Sequence, residues 1–178
     1  IPIEIKMEKK TISKRILFLH LVGMVVGGIS WGVYYVLSFI NSDVAALGAL
    51  IANVAVTGGL HIDGLSDTCD GFFSARTRDR ILEIMKDSRV GTFGVIATVM
   101  LLLAKYILIA GLPQDVVPLA LVFISGTSRL GAALLITFGK SARPGGLGDM
   151  FSSSSSKAYF LLSACFHTTI GTIFGGLT

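Results

Sequence analysis

Residues 92–111 read TFGVIATVMLLLAKYILIAG, a run in which Lys105 is the only charged residue. A helix needs about 20 predominantly apolar residues to cross a bilayer, so this run predicts a transmembrane helix. Similar apolar runs occupy residues 15–40, 44–60, 116–138 and 158–177. We therefore predict an all-α fold, a polytopic membrane helical bundle with about five transmembrane helices.

The composition of the whole chain supports this prediction. Of its 178 residues, 52% are hydrophobic and 15% are charged, and the mean hydropathy is +0.76. Soluble domains carry about 25% charged residues, so this chain has too little polar surface to cover a globule in water. No stretch of soluble-domain composition stands at either end, and we expect residues 1–178 to form a single integral membrane domain.

Positive charge falls in alternate connections between the apolar runs. The connections near Asn41–Asp43 and Leu112–Asp115 contain no Lys or Arg. The basic residues lie in three other places. Before the first run stand Lys6, Lys9, Lys10, Lys14 and Arg15. Between the second and third runs lie Arg76, Arg78, Arg80, Lys86 and Arg89, and between the fourth and fifth lie Lys140, Arg143 and Lys157. The positive-inside rule therefore predicts a cytoplasmic N-terminus and a multi-pass protein of the cell (inner or plasma) membrane.

The connection after the second run carries a cluster of carboxylates. Residues 58–71 read GGLHIDGLSDTCDG, in which Asp63, Asp67 and Asp70 are spaced i, i+4 and i+7. On a helix the three carboxylates share one face, where like charges repel each other unless a cation lies among them. Such hard oxygen ligands suit Mg²⁺ or Mn²⁺, and Asp87 is placed to complete the site from an adjacent helix. We therefore predict Asp63, Asp67, Asp70 and Asp87 as metal ligands at the cytoplasmic edge of the membrane.

Basic residues surround this acidic cluster. Residues 80–87 read RILEIMKD and predict an amphipathic cytoplasmic helix. Mg²⁺ usually combines a few carboxylates with substrate phosphates, so the nearby guanidinium groups indicate a phosphate or diphosphate substrate. Arg76, Lys86 and Arg89 are the predicted substrate-binding residues of this segment. For Arg78, Asp79 and Arg80, the formation of ordinary surface ion pairs is an alternative role.

Three further residues are candidates for chemistry. His61 is either a base or a substrate contact, or else a structural histidine. Arg129 lies inside the fourth apolar run, where an ionisable group is costly. Its expected partner is an Asp or a substrate phosphate, with a buried structural ion pair as the alternative. Arg143 follows in the loop ARPGGLG of residues 142–148 and is placed to reach the same cytoplasmic surface.

Four sequence elements follow one another along the chain: TGGLHIDGLSDTCDG at 57–71, EIMKDSRVGTFG at 83–94, Ser128-Arg129, and ARPGGLG at 142–148. Together, and in this order, they resemble the cobalamin synthase family, whose members are adenosylcobinamide-GDP ribazoletransferases. The combination is specific and covers the chain from about Thr57 to Gly148. Ile1-Pro2-Ile3 resembles the middle of the family's N-terminal element, and family members usually continue through further membrane helices. The resemblance therefore implies that part of the N-terminus and the C-terminal helices of the full protein are missing.

The resemblance implies the last assembly stage of the cobalamin nucleotide loop, with Mg²⁺ as cofactor. Adenosylcobinamide-GDP and α-ribazole, or its 5′-phosphate, would give GMP and adenosylcobalamin, or its 5′-phosphate. Asp63, Asp67, Asp70 and His61 are then the candidate catalytic residues. Arg129 and Arg143 would join the other basic residues in binding substrate. The expected partners are these small molecules and membrane lipid, and no nucleic acid is expected. Assembly into a homo-oligomer is left as an alternative.

Two other functions stay open at this point. The CDP-alcohol phosphotransferases do similar chemistry in membranes with a related Asp pattern, but Ser66-Asp67 occupies the positions of their Ala-Arg pair. A membrane transporter would line a pathway with Arg129 and the Asp cluster. Such a pathway needs ionisable groups near the midplane of several spans, whereas these acids gather at one edge.

Overall fold

The computed structural model describes residues 9–142 and 144–175. In these ranges the chain forms helices and no strand, which confirms the prediction of an all-α fold. The helices are α1 (Lys9–Ser38), α2 (Ser42–Val56), α3 (Leu60–Phe72), α4 (Arg78–Ile84), α5 (Thr92–Gly111), α6 (Val117–Phe138), α7 (Leu147–Ser154) and α8 (Lys157–Gly175).

Short-range signals set several of the helix ends. The Asn41 side-chain oxygen accepts a hydrogen bond of 2.8 Å from the backbone N–H of Val44, which caps the start of α2. Pro113 follows the end of α5 at Gly111, and proline cannot continue a helix. The apolar runs are therefore divided into helices by the polar and proline-containing residues between them.

The apolar helices agree with a multi-pass membrane protein. Among the described residues, three segments are long and apolar enough to cross a membrane: Ile16–Ser38, Thr92–Gly111 and Val117–Phe138. Helices α2 and α3 pass the same test only together and are bent by 84°, which allows a fourth, broken span. The predicted number of five is not confirmed, because the run 44–60 is interrupted after Val56 and α8 does not qualify among the described spans.

The outer surface of α5 is apolar. Only 6% of its most apolar window is buried, and Ile107 and Leu108 are 64% and 69% exposed. In water such a surface would drive aggregation, but hydrocarbon tails solvate it well. Ile107 and Leu108 are therefore expected to face lipid.

The chain divides into two compact units. One unit combines the chain up to Gly28 with the part from Pro118 onward, and its core contains Ile16, Ala133 and Phe160. The other runs from Ile29 to Val117, and in it α5 packs against α2 and α3 while α4 packs against α3. A single membrane domain over residues 1–178 stays a prediction.

In the first unit, glycines let α1 lie directly against α6. A Cβ atom added to Gly27 would lie 2.3 Å from the carbonyl oxygen of Leu121, and one added to Gly23 would lie 2.4 Å from that of Ser125. Gly28, the next residue, has no atom within 4 Å of such a Cβ. Close backbone approach at small residues is a usual way for membrane helices to pack.

We predict that Gly27→Ala destabilises the protein and that Gly28→Ala does not. The first change forces two helix backbones apart, and overpacking of this kind costs about 1–3 kcal/mol. The second change adds a better helix-forming residue in open space. Thermal unfolding in detergent should give a lower Tm for Gly27→Ala alone, and equal Tm values for the two variants would contradict the assigned helix contact.

Candidate active site

A sharp turn between α2 and α3 sets the direction of the acidic segment. Gly58 and Gly59 have φ angles of +62° and +71°, in the left-handed region that residues with a Cβ rarely adopt. The Thr57 hydroxyl donates to the carbonyl oxygens of Asn53 and Val54 and closes the last turn of α2. The glycine pair therefore ends one helix, and the next begins almost at a right angle to it.

The three predicted carboxylates lie along α3 with the helical spacing expected from the sequence, but their surroundings differ. Asp63 is exposed, whereas Asp67 and Asp70 are half-buried. Asp63 and Asp70 line two different clefts. Among the described residues, no group of three or more His, Cys, Asp or Glu side chains is assembled to hold a metal ion. The metal set of Asp63, Asp67, Asp70 and Asp87 stays a prediction.

Asp70 binds the N-terminus of α5. Its Oδ2 accepts a 2.7 Å hydrogen bond from the backbone N–H of Gly91, and its Oδ1 accepts one of 2.8 Å from Gly94. The first N–H groups of a helix have no partner within the helix, and they carry the positive end of its dipole. A carboxylate from α3 thus caps α5 and joins the two helices.

Gly91 and Gly94 allow the carboxylate to come this close. A Cβ atom added to Gly91 would lie 2.4 Å from Asp70 Oδ1. One added to Gly94 would lie 2.4 Å from Asp70 Oδ2 and 2.2 Å from Ser66 Oγ. The capping role of these glycines was missed at the sequence level, although a Gly-x-x-Gly spacing at the start of an apolar run was a possible signal.

A cleft of about 690 Å³ opens beside this contact, and we call it the basic cleft. Its lining residues are Asp70, Ser74, Arg76, Arg80, Ile84, Asp87, Arg89, Gly91, Thr92 and Phe93. The structure thus brings together two of the predicted substrate-binding residues, Arg76 and Arg89, with two of the predicted metal ligands. It also adds Arg80, whose guanidinium pairs with Glu83 three residues later.

Asp87 and Arg89 form an ion pair at this cleft. Arg89 Nε lies 3.0 Å from both carboxylate oxygens of Asp87, Nη2 donates to Oδ2, and the Arg89 backbone N–H donates to Oδ1 at 3.1 Å. These hydrogen bonds, from the Arg89 side chain first and its backbone second, lower the pKa of Asp87 to about 2. The same contact raises the pKa of Arg89. Both groups are therefore charged at neutral pH.

The remaining predicted residues lie elsewhere. Lys86 and His61 are exposed and do not line the basic cleft. Arg129 belongs to the other unit, where its Nη1 donates to Ser128 Oγ at 3.2 Å. Its stem packs against Gly23, since an added Cβ there would lie 2.8 Å from Arg129 Cγ. Arg143 lies outside the described residues.

The first unit also contains two buried histidines that the sequence analysis missed. His20 Nδ1 lies 2.6 Å from Ser163 Oγ, His167 Nε2 lies 3.0 Å from Thr127 Oγ1, and the two rings are 5.7 Å apart. Ionisable side chains inside apolar runs are the signal that could have found them. They form a polar contact between α1, α6 and α8 within this unit.

These features define a class: a multi-pass helical membrane protein with arginines and carboxylates gathered around one cleft. A family model described as cobalamin-5-phosphate synthase matches residues 1–177. The chain therefore belongs to this family.

Similar proteins named adenosylcobinamide-GDP ribazoletransferase support the assignment. The protein of Clostridium novyi (strain NT) is 44% identical over 153 residues, which is 85% of this chain and 61% of the relative. The protein of Clostridium botulinum (strain Langeland) is 36% identical over 171 residues, which is 96% of this chain and 69% of the relative. The protein of Escherichia coli O157:H7 is 44% identical over 142 residues, which is 78% of this chain and 58% of the relative. The chain thus spans between 58% and 69% of the length of these curated relatives. No solved structure matches it.

We predict that Asp70→Ala and Gly91→Ala destabilise the protein through one shared contact, because the three atoms nearest to a Cβ on Gly91 all belong to Asp70. The first removes the cap of α5, and the second pushes the Asp70 carboxylate off the helix end. In a double-mutant cycle followed by unfolding in detergent, the two losses should be non-additive by about 0.5–3 kcal/mol. Gly111→Ala on the same helix is the matched control, because its Cβ meets no atom within 4 Å. Additive losses would refute the contact.

We also predict that Arg89→Gln raises the pKa of Asp87 from about 2 toward its ordinary value near 3.8. Because the folded-state pKa is depressed, the ion pair is complete above the ordinary value and is lost as the pH falls through about 2. Carbon NMR of labelled aspartate side chains would follow the titration. An unchanged titration in Arg89→Gln would show that another group holds the pKa of Asp87 down.

Proposed function

We propose that the protein is a Mg²⁺-dependent membrane phosphotransferase. It would join adenosylcobinamide-GDP to α-ribazole or its 5′-phosphate, releasing GMP and forming adenosylcobalamin or its 5′-phosphate. The family membership and the names of the relatives support this assignment. The observation that carries it is the basic cleft, in which Arg76, Arg80 and Arg89 lie beside Asp70 and Asp87.

The arginines of the cleft suit a diphosphate. A guanidinium group presents planar pairs of donors that match phosphate oxygens, and it stays charged at any physiological pH. Arg89 already holds an anion, the Asp87 carboxylate, in a forked geometry. A diphosphate would take the place of that carboxylate on Arg89, which would leave Asp87 free for another partner.

The proposed reaction is a substitution at phosphorus. The hydroxyl oxygen of the ribazole attacks the phosphorus nearer the cobinamide and forms a new P–O bond. The P–O bond to GMP breaks, and GMP leaves with the electron pair. The hydroxyl proton passes to a carboxylate of α3 or to His61, and then to water. Holding the two substrates in line accounts for much of the rate in phosphoryl transfer, and the cleft arginines stabilise the charge on the diphosphate.

The unpartnered carboxylates of α3 support the proposal of magnesium binding in which the substrate would supply some of the ligands. Within the described part of the chain, Asp63 and Asp67 have no hydrogen-bond or ion-pair partner. Asp70 and Asp87 already hold the α5 N-terminus and Arg89. The proposed ligands are thus Asp63 and Asp67, with Asp70 and Asp87 through their remaining lone pairs. When bound, Mg²⁺ would neutralise negative charge on the diphosphate and on the departing phosphate.

The proposed site faces the cytoplasm from the inner membrane. Its arginines belong to the connection between α3 and α5, which carries five of the basic residues that the positive-inside rule places in the cytoplasm. The substrate is a nucleotide conjugate, which is hydrophilic, so a cytoplasmic opening is consistent with its supply. Membrane lipid would then surround the apolar helices.

We predict that Arg89→Ala lowers the release of GMP from adenosylcobinamide-GDP and α-ribazole on the order of 100-fold, as loss of one charge-stabilising donor does. Lys86→Ala is the matched control, since it removes a nearby positive charge that does not line the cleft. The assay would use the full-length protein in proteoliposomes with Mg²⁺. Equal activity of the two variants would contradict the basic cleft as the diphosphate site.

A further inference from the structure

A second cleft, of about 480 Å³, opens beside the glycine turn of α2 and α3, and we call it the turn cleft. Its lining residues are Val54, Gly58, Gly59, Leu60, Ile62, Asp63, Ser66, Val90, Val95, Thr98 and Val99. Most of these are apolar, and three carry a polar side chain. The volume lies in the range of about 300–1,000 Å³ that is common for small-molecule sites.

Lining residues of the turn cleft and the basic cleft lie close together around Gly94, which itself lines neither cleft. Ser66 lines the turn cleft and Asp70 lines the basic cleft. A Cβ atom on Gly94 would contact both, at 2.2 Å from Ser66 Oγ and 2.4 Å from Asp70 Oδ2. A transfer reaction needs its two reacting atoms about 3–3.5 Å apart, so adjacent clefts are the arrangement that two substrates require.

Ser66 has an unused hydrogen-bonding group at this junction. The residue is 5% exposed, and among the described residues its Oγ has no hydrogen-bond partner. A buried hydroxyl without a partner is costly, so a ligand group that pairs with it is favoured. The Asp63 carboxylate is exposed on the preceding turn of α3 and lines the same cleft. It has two oxygens, so one can accept from a ligand hydroxyl while the other serves the proposed magnesium ion.

We propose that the turn cleft binds the hydroxyl-bearing acceptor of the reaction, a nucleoside with an apolar ring; this rests on the proposed function. The ribose hydroxyls would lie toward Ser66 and Asp63, and the ring would lie against Val54, Val95 and Val99. The dimethylbenzimidazole of α-ribazole has such an apolar ring. A purine would leave polar ring edges unpaired against the valines, so the cleft also selects the base.

The test compares two neighbouring residues of α5. Val95 and Ile96 are 50% and 53% exposed, but only Val95 lines the turn cleft. In the full-length protein in detergent, Val95→Trp should weaken α-ribazole binding at least about tenfold and leave GDP binding unchanged, because a tryptophan fills the space for the ring. Ile96→Trp should change neither. Wild-type protein should bind adenosine at least about tenfold more weakly than α-ribazole. Isothermal titration calorimetry measures each ligand separately.

A second variant and the GDP measurements separate the possible failures. Val99→Trp fills the same cleft and should act like Val95→Trp, and retained GDP binding shows that each variant is folded. The turn-cleft proposal is wrong if α-ribazole does not bind or binds equally to all variants. It is also wrong if only lipid occupies the cleft. If Arg89→Ala does not weaken GDP binding, the basic cleft and the proposed function fail instead.

Discussion

The carboxylate of Asp70 holds the N-terminus of α5 against α3, and the arrangement of both clefts depends on this contact. It satisfies two N–H groups that a helix cannot satisfy itself, at 2.7 Å and 2.8 Å. The two glycines that receive it lie next to Thr92 and Phe93 of the basic cleft, and the same carboxylate lies beside Ser66 of the turn cleft. One side chain therefore links the two candidate binding surfaces.

The charged residues around this contact divide into structural and available groups. Asp70 and Asp87 already have partners, the helix end and Arg89, so any ligand must share or displace those partners. Asp63 and Asp67 have none among the described residues, and a cation or a ligand donor would relieve their mutual repulsion on one helix face. The acidic helix is thus consistent with a site that is completed by its substrates.

The sequence predicted the helices better than it predicted their contacts. Apolar runs of sufficient length identified α1, α5 and α6, because lipid exposure requires continuous apolar surface. The bend inside the run 44–60 was not predicted, because Gly58 and Gly59 permit a left-handed turn without requiring one. Helical spacing placed Asp63, Asp67 and Asp70 on one helix, but which neighbour each side chain meets depends on residues far away in sequence, such as Gly94.

The glycine turn also bears on how such a chain enters a membrane. A straight continuation of α2 would carry the carboxylates of α3 along the path of a span, and each Asp at the centre of an inserted helix costs about 2.5–3.5 kcal/mol. Because α3 leaves α2 at 84°, the acidic helix need not follow it through the hydrocarbon. Two backbone angles thus let an apolar segment insert while the charged segment that follows it stays in contact with water.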